Sequence, residues 1–168
     1  MMNNVERELN KGLTAAFVDG NLAANPAYKP QFVSNNYEEG RKVLATIEEE
    51  LLNCEEFQFS VAFITMSGIT PLLQTFKELE KKGVKGRILT TDYLTFSEPK
   101  ALEKLSELSN ITLKMYSTEK GGDGFHTKGY FFRTGNIYRI VVGSSNMTLN
   151  ALTKNKEWNT RIVSGSRG

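Results

Sequence analysis

The sequence has one histidine, one cysteine and one tryptophan in 168 residues. A single cysteine, Cys54, excludes an internal disulfide, and its place in "LLNCEEF", at the end of an amphipathic helical pattern, makes it a small buried thiol of a reducing compartment. With one histidine and one cysteine, only scattered carboxylates remain as metal ligands, so the chemistry is expected to need no metal and no cofactor. No apolar run approaches the roughly 18 residues of a membrane span. No charged-then-apolar leader opens the chain, and the expectation is a cytoplasmic protein away from the membrane. The formal net charge of +2, from 21 basic and 19 acidic residues, is too small for bulk electrostatics to imply a nucleic-acid partner; such a partner would need a local patch. Neither an internal repeat nor a low-complexity tract is present.

With 39% hydrophobic and 24% charged residues, the chain can bury one core, which predicts one globular domain over 37–168 and an N-terminal arm or adaptor over 1–36. The arm holds a short helical segment, "VERELNKGLTAAFVDG", then an Asn-rich stretch with two of the four prolines. From Tyr37 on, Val43, Leu44, Ile47, Leu51 and Leu52 recur at helical spacing behind Asn35 and Asn36 as cap candidates. "FQFSVAFIT" reads as a strand buried on both faces. A helix carries Ile69, Leu72, Leu73, Phe76 and Leu79 and ends at Gly83 in a left-handed cap. "VKGRILTT" is a strand, "SEPKALEKLSEL" a helix with Ser97 as cap and Pro99 in its first turn, and "ITLKMY" a strand. Strands alternating with helices predict an α/β fold with a parallel or mixed sheet. After the glycine-rich loop "EKGGDG", "HTKGYFFRTGNIYRIVVG" predicts a hairpin turning at "TGN", and Glu157 is expected to open a last strand, "EWNTRIV".

The chemistry concentrates in "GFHTKGYFF" and "GSSNMTLNALTKNKEWN". In an extended segment His126 and Lys128 share a face. If the hairpin pairs 126–133 with 138–142, the turn after Gly143 lies near His126, and imidazole, ammonium, the hydroxyl of Ser144 and the amide of Asn146 converge. A neutral ring nitrogen of His126 can attack a phosphodiester phosphorus, provided a carboxylate fixes the tautomer from the other nitrogen; Glu157 is the candidate. Lys128 and Asn146 would hold the non-bridging oxygens, a task performed by metal ions in many other sites. Each residue taken alone has an ordinary reading: a surface histidine, a lysine with its stem on the sheet, a Gly-Ser turn, a solvated glutamate. Their order is what points to chemistry.

These motifs resemble the phospholipase D superfamily, whose pattern is His-x-Lys, four residues and an Asp, followed by Gly-Ser-x-Asn. The matches are His126, Lys128, Gly143, Ser144 and Asn146, and "NKEWN" resembles the Asn-x-Glu segment of the bacterial nucleases, here Asn155 to Glu157. The resemblance covers roughly residues 37 to 163. It implies a phospholipase D-like mixed β-sheet flanked by helices on both faces, and a metal-independent phosphodiesterase, a nuclease acting on DNA through a phosphohistidine. More narrowly, the chain resembles the phospholipase D-like domain of large bacterial superfamily II helicase proteins of restriction type, which implies a fused or associated helicase. Arg133 stands where the motif has its Asp, and Gly143 falls three residues late, a shift the hairpin can absorb.

The family mechanism uses two His-Lys motifs, whereas this chain has one histidine, so a homodimer is expected to pair them. Two rival functions keep the same residues: a catalytically silent nucleic-acid-binding module and a lipid phosphodiesterase, the latter disfavoured by the lack of an amphipathic membrane helix. Tyr93, Tyr130 and Trp158 are candidates for stacking on nucleic-acid bases. Asp92, after a strand end, is expected to line the cleft without catalysing.

Overall fold

Alternation of large apolar and polar residues in "EFQFSV" and "YFFR" puts Phe57, Phe59, Tyr130 and Phe132 on one side of adjacent strands, and that side is the core. The computed structural model describes residues 29–36, 38–93, 96–121 and 124–165. The helical segment expected in 1–28 lies outside them.

The strands are β1 (Gln31–Val33), β2 (Glu56–Val61), β3 (Lys85–Thr91), β4 (Ile111–Tyr116), β5 (Lys128–Thr134), β6 (Ile137–Gly143) and β7 (Asn159–Gly165). They form one mixed sheet in the order β1-β7-β6-β5-β2-β3-β4. β2, β3 and β4 run parallel, while β5 is antiparallel to β2 and the pairs β5/β6, β6/β7 and β7/β1 are antiparallel. The helices are α1 (Val43–Leu52), α2 (Met66–Ile69), α3 (Leu73–Lys81), α4 (Pro99–Ser106), α5 (Thr118–Gly121) and α6 (Leu149–Thr153). The α/β fold with a mixed sheet is therefore the one expected.

The helices other than the single turn α5 pack on one face. A single buried cluster joins Val43, Ile47, Leu51, Ile69, Phe76, Leu79, Leu105 and Leu152 to Phe57, Phe59, Ile88, Tyr130, Phe132 and Val141. Helices on both faces were expected; among the described residues the second face carries no helical layer. Successive right-handed crossovers from β2 to β3 to β4 step in one direction across the sheet, so their helices fall on the same side. The other face presents Gln58, Arg87, Thr112 and Lys114, with Phe131, Tyr138 and Val142 exposed among them.

Three local details differ from expectation. Residues 31–33, assigned to the arm, form an edge strand on β7, too short for any periodicity to show. Ser97 does not cap α4, whose N-cap is Glu98; it is buried, accepts from the Ile64 N–H at 3.3 Å and donates to the Ala62 carbonyl at 3.2 Å. Asn35 is not the N-cap of α1, which is Lys42, but its Oδ1 reaches the helix from eight residues away, accepting from the Val43 N–H at 3.0 Å. As expected, Gly83 takes a left-handed conformation (φ 71°) after α3, and Gly135 (φ 55°) turns the β5–β6 hairpin.

Glu50, 4% exposed on α1, accepts from Arg161 Nε at 2.5 Å and lies 3.7 Å from Arg139 Nε, tying the helix to β6 and β7. Cys54 is buried and donates to the Leu51 carbonyl at 3.2 Å; burial pushes its thiol up to about 11, so it is a packing residue rather than a nucleophile. No described helix is long and apolar enough to cross a membrane.

Candidate active site

The parallel strands β2 and β3 point their C-terminal ends at the end of the sheet where β5 starts, β6 stops and β7 starts, the usual place for a site in an open α/β sheet. His126 lies two residues before β5, and Lys128 opens it opposite Val61. Register then sets the neighbours: Gly129 pairs with Val142, and Gly143 with Asn159. The hairpin thereby brings Ser144 and Glu157 to the strand end that carries His126 and Lys128. Glu157 lies just before β7 rather than inside it.

Lys128 Nζ bonds His126 Nδ1 at 2.8 Å and the His126 carbonyl at 3.1 Å, so the pair shares a face as expected. An ammonium can only donate, so Nδ1 is the acceptor and the ring proton sits on Nε2. Burial holds Lys128 below the usual lysine range, and the negative charge of Glu157 acts against that shift. The Phe63 ring packs edge-on against the imidazole at 5.7 Å.

Glu157 takes a different partner from the one expected. Its Oε2 accepts a short hydrogen bond from Ser144 Oγ and its Oε1 lies 3.5 Å from Asn155 Nδ2. Ser144 is clamped further: its Oγ accepts from the Trp158 N–H at 3.0 Å, and its own N–H donates to the Trp158 carbonyl at 3.1 Å. Asn146 accepts from the Phe63 N–H at 3.3 Å through Oδ1, so its amide NH₂ is the part that can donate. Gly143 is needed for close approach, since a Cβ there would stand 2.2 Å from the Trp158 carbonyl oxygen.

Beneath these groups lies a buried polar network that sequence patterns did not reveal. Asn159, 2% exposed, donates through Nδ2 to Ser145 Oγ at 2.9 Å and the Val33 carbonyl at 3.2 Å, and accepts from the Ser145 N–H at 3.2 Å. Tyr130 donates to the Ser145 carbonyl at 2.9 Å. Tyr130 is thus no stacking candidate: it is 1% exposed and edge-on to Phe59, and burial pushes its phenol well above the usual range. Asn35 completes the support, donating to the carbonyls of Ala151 and Asn155 at 2.9 Å each and so fixing the loop that carries Glu157. The second serine and the "EWN" asparagine were the available signals for this network, but the serine read as an ordinary turn residue and the asparagine as one more residue of the last strand.

Two other residues singled out in the sequence have structural partners of their own. Asp92 accepts from the N–H and Oγ1 of Thr118, both at 2.9 Å, which holds its carboxyl below the usual range and ties β3 to α5. Arg133 pairs with Glu56 at 3.0 Å across the β5/β2 ladder, away from the His126 end of the strand. Glu56 is held below the usual carboxylate range by Arg87 and then Arg133. Among the described residues no group of three or more His, Cys, Asp or Glu side chains could hold a metal ion.

Comparison with known proteins agrees with this fold. Residues 49–166 match the model of a family described as "Cardiolipin synthase, PLD-like domain". No curated protein matches the sequence. Among solved structures, the chain is similar to NucT from Helicobacter pylori at 16% identity and a TM-score of 0.62, covering 79% of this chain and 84% of that one. It is similar to Nuc, a phospholipase D family member from Salmonella typhimurium, at 18% identity and a TM-score of 0.58, covering 80% and 83%. Yeast tyrosyl-DNA phosphodiesterase matches at 14% identity and a TM-score of 0.55 over 83% of this chain and 34% of its own.

Proposed function

Because the chain belongs to the PLD-like domain family of the cardiolipin synthase type, with the phosphodiesterase and nuclease fold of that superfamily, we propose that it is a metal-independent phosphodiesterase acting on DNA through a phosphohistidine. The observation that carries this reading is the convergence of His126, Lys128, Ser144, Asn146 and Glu157 at one strand end.

The histidine as it stands is in the tautomer of a proton donor, because Lys128 occupies Nδ1. An incoming phosphodiester offers the ammonium a charged acceptor, and Lys128 moves from the ring nitrogen to a non-bridging oxygen, which the Asn146 amide also holds. Nδ1 is then free to take the ring proton, and Nε2 to attack. The P–N bond forms as the P–O bond to the leaving group breaks, and that oxygen takes its proton from a second histidine. Water then cleaves the P–N bond, with the second histidine as base. This chain contains one histidine, so the second belongs to another copy in a homodimer, each copy supplying one motif. The narrower sequence resemblance supports a helicase-type partner that delivers the DNA.

Wild type and His126→Ala are compared on DNA and on a small chromogenic phosphodiester in excess EDTA, with a trap for phosphoprotein. Cutting that persists in EDTA, a trapped adduct in wild type alone and a loss of at least about 100-fold in the variant are expected. Equal residual rates in the two proteins would sink the reading. A silent binding module is the second reading, favoured by the Lys128–His126 bond that withholds Nδ1; it predicts salt-dependent DNA binding without cleavage.

A further inference from the structure

Two groups of exposed aromatic rings stand on either side of the site, along the same row of strand ends. In sheet order from β3 to β1, this row carries Phe96 after β3, Phe63 after β2, His126 and Lys128 at the start of β5, Ser144 after β6, Glu157 and Trp158 before β7, and Phe32 in β1. On one side Phe96, 55% exposed, packs edge-on to Phe63 at 4.9 Å, and Phe63 packs edge-on to His126. On the other Trp158, 75% exposed, stands edge-on to Phe32 at 6.0 Å, itself 63% exposed. Such rings in water forgo the burial that ordinarily stabilises them, and none of the three belongs to the core cluster.

Their backbones are nevertheless anchored. Beside Phe96, buried Ser97 is bonded to the Ala62–Ile64 segment, and Glu98 accepts from the Met66 N–H at 2.8 Å. Trp158 is bonded through both its N–H and its carbonyl to Ser144, and the exposed Lys154 and Lys156 precede it. Three strand spacings separate β2 from β7, roughly 14 Å, with Lys128 between them. A cation flanked by two fixed aromatic faces has the chemistry of a nucleic-acid strand whose bases are free to stack, because every base offers a π-face while its phosphates seek the ammonium. A duplex keeps its bases stacked on one another and can offer them only after unstacking.

We propose that Phe96 and Trp158 are stacking platforms for unpaired bases, so that the substrate is a single nucleic-acid strand laid across the strand ends with its scissile phosphate at His126. This rests on the phosphodiesterase reading above and names its substrate class.

Trp158 is the sole tryptophan, so its emission reports on the platform directly. A single-stranded oligonucleotide and a duplex of equal length are titrated into the non-cleaving His126→Ala protein, with fluorescence anisotropy of labelled oligonucleotides run beside it. Quenching by the single strand at a concentration at least about 10-fold below that needed for the duplex is expected. Trp158→Ala and Phe96→Ala should each weaken single-strand binding about 10-fold, with Trp158→Phe restoring most of it. Equal affinity for the two forms, or no effect of either replacement, overturns the proposal. So does Trp158 emission that shifts with protein concentration and ignores the oligonucleotide, since a second copy would then cover the ring. If wild type fails on the small diester while single-strand quenching holds, the catalytic reading fails and the platform stands.

Discussion

At the scale of single residues, the site depends on which partner each charged group keeps. Lys128 is held below the ordinary lysine range by burial, and the Glu157 carboxylate pulls it back by favouring the ammonium. Phosphate binding needs that ammonium, so activity falls as pH rises through the Lys128 pKa. In Glu157→Gln the counteracting charge is gone and the pKa falls further, which moves the alkaline limb of kcat/KM to lower pH. An alkaline limb unmoved, or moved upward, in a pH profile of the variant would show that Glu157 does not act on Lys128. Ser144 is the other residue to watch, since one hydroxyl donates to Glu157 while accepting from the Trp158 N–H. His126 and Lys128 were legible from the sequence because an alternation of two suffices to place them on one face. The partner of Nδ1 was not: sequence order favoured a carboxylate, and the lysine two residues away proved nearer.

At the scale of elements, the close approach of α2 to the segment after Ser145 sets the site. Thr65 caps α2 by accepting from the Gly68 N–H at 3.1 Å, and the Thr65 N–H donates to the Met147 carbonyl at 3.1 Å. A Cβ on Gly68 would stand 2.1 Å from that same carbonyl oxygen, an overlap with backbone that cannot be relieved by a rotamer change. Gly68→Ala is therefore expected to destabilise the fold by about 3 kcal/mol in urea unfolding and to displace Asn146, the neighbour of Met147. Gly124→Ala, two residues from His126 but with open space around it, should change stability by less than about 0.5 kcal/mol. Comparable losses in the two variants would remove the argument from packing. Nothing local in "TMSGIT" shows this, because the crowding of Gly68 comes from a segment nearly eighty positions away.

At the scale of the whole molecule, the proposed two-histidine mechanism takes its second histidine from another copy, since each chain has one. If both histidines are needed, only wild-type pairs are active. Wild type and His126→Ala co-refolded in equal amounts should then keep about a quarter of the activity of the same total of wild type, because random pairing leaves a quarter of the dimers fully wild type. A remaining half would show that each chain works alone.

The sequence alone determined the α/β alternation, the β5–β6 hairpin and the placing of His126 and Lys128 on one face, because local periodicity and turn chemistry act over a few residues. Only the tertiary structure decided that residues 31–33 join the sheet, that Asn35, Ser145 and Asn159 support the loop of Glu157, and that Tyr130 is buried while Phe96 and Trp158 are exposed. Those outcomes follow from strand order and register, which bring together groups as far apart as Asn35 and Asn155 and leave no periodic trace in the chain.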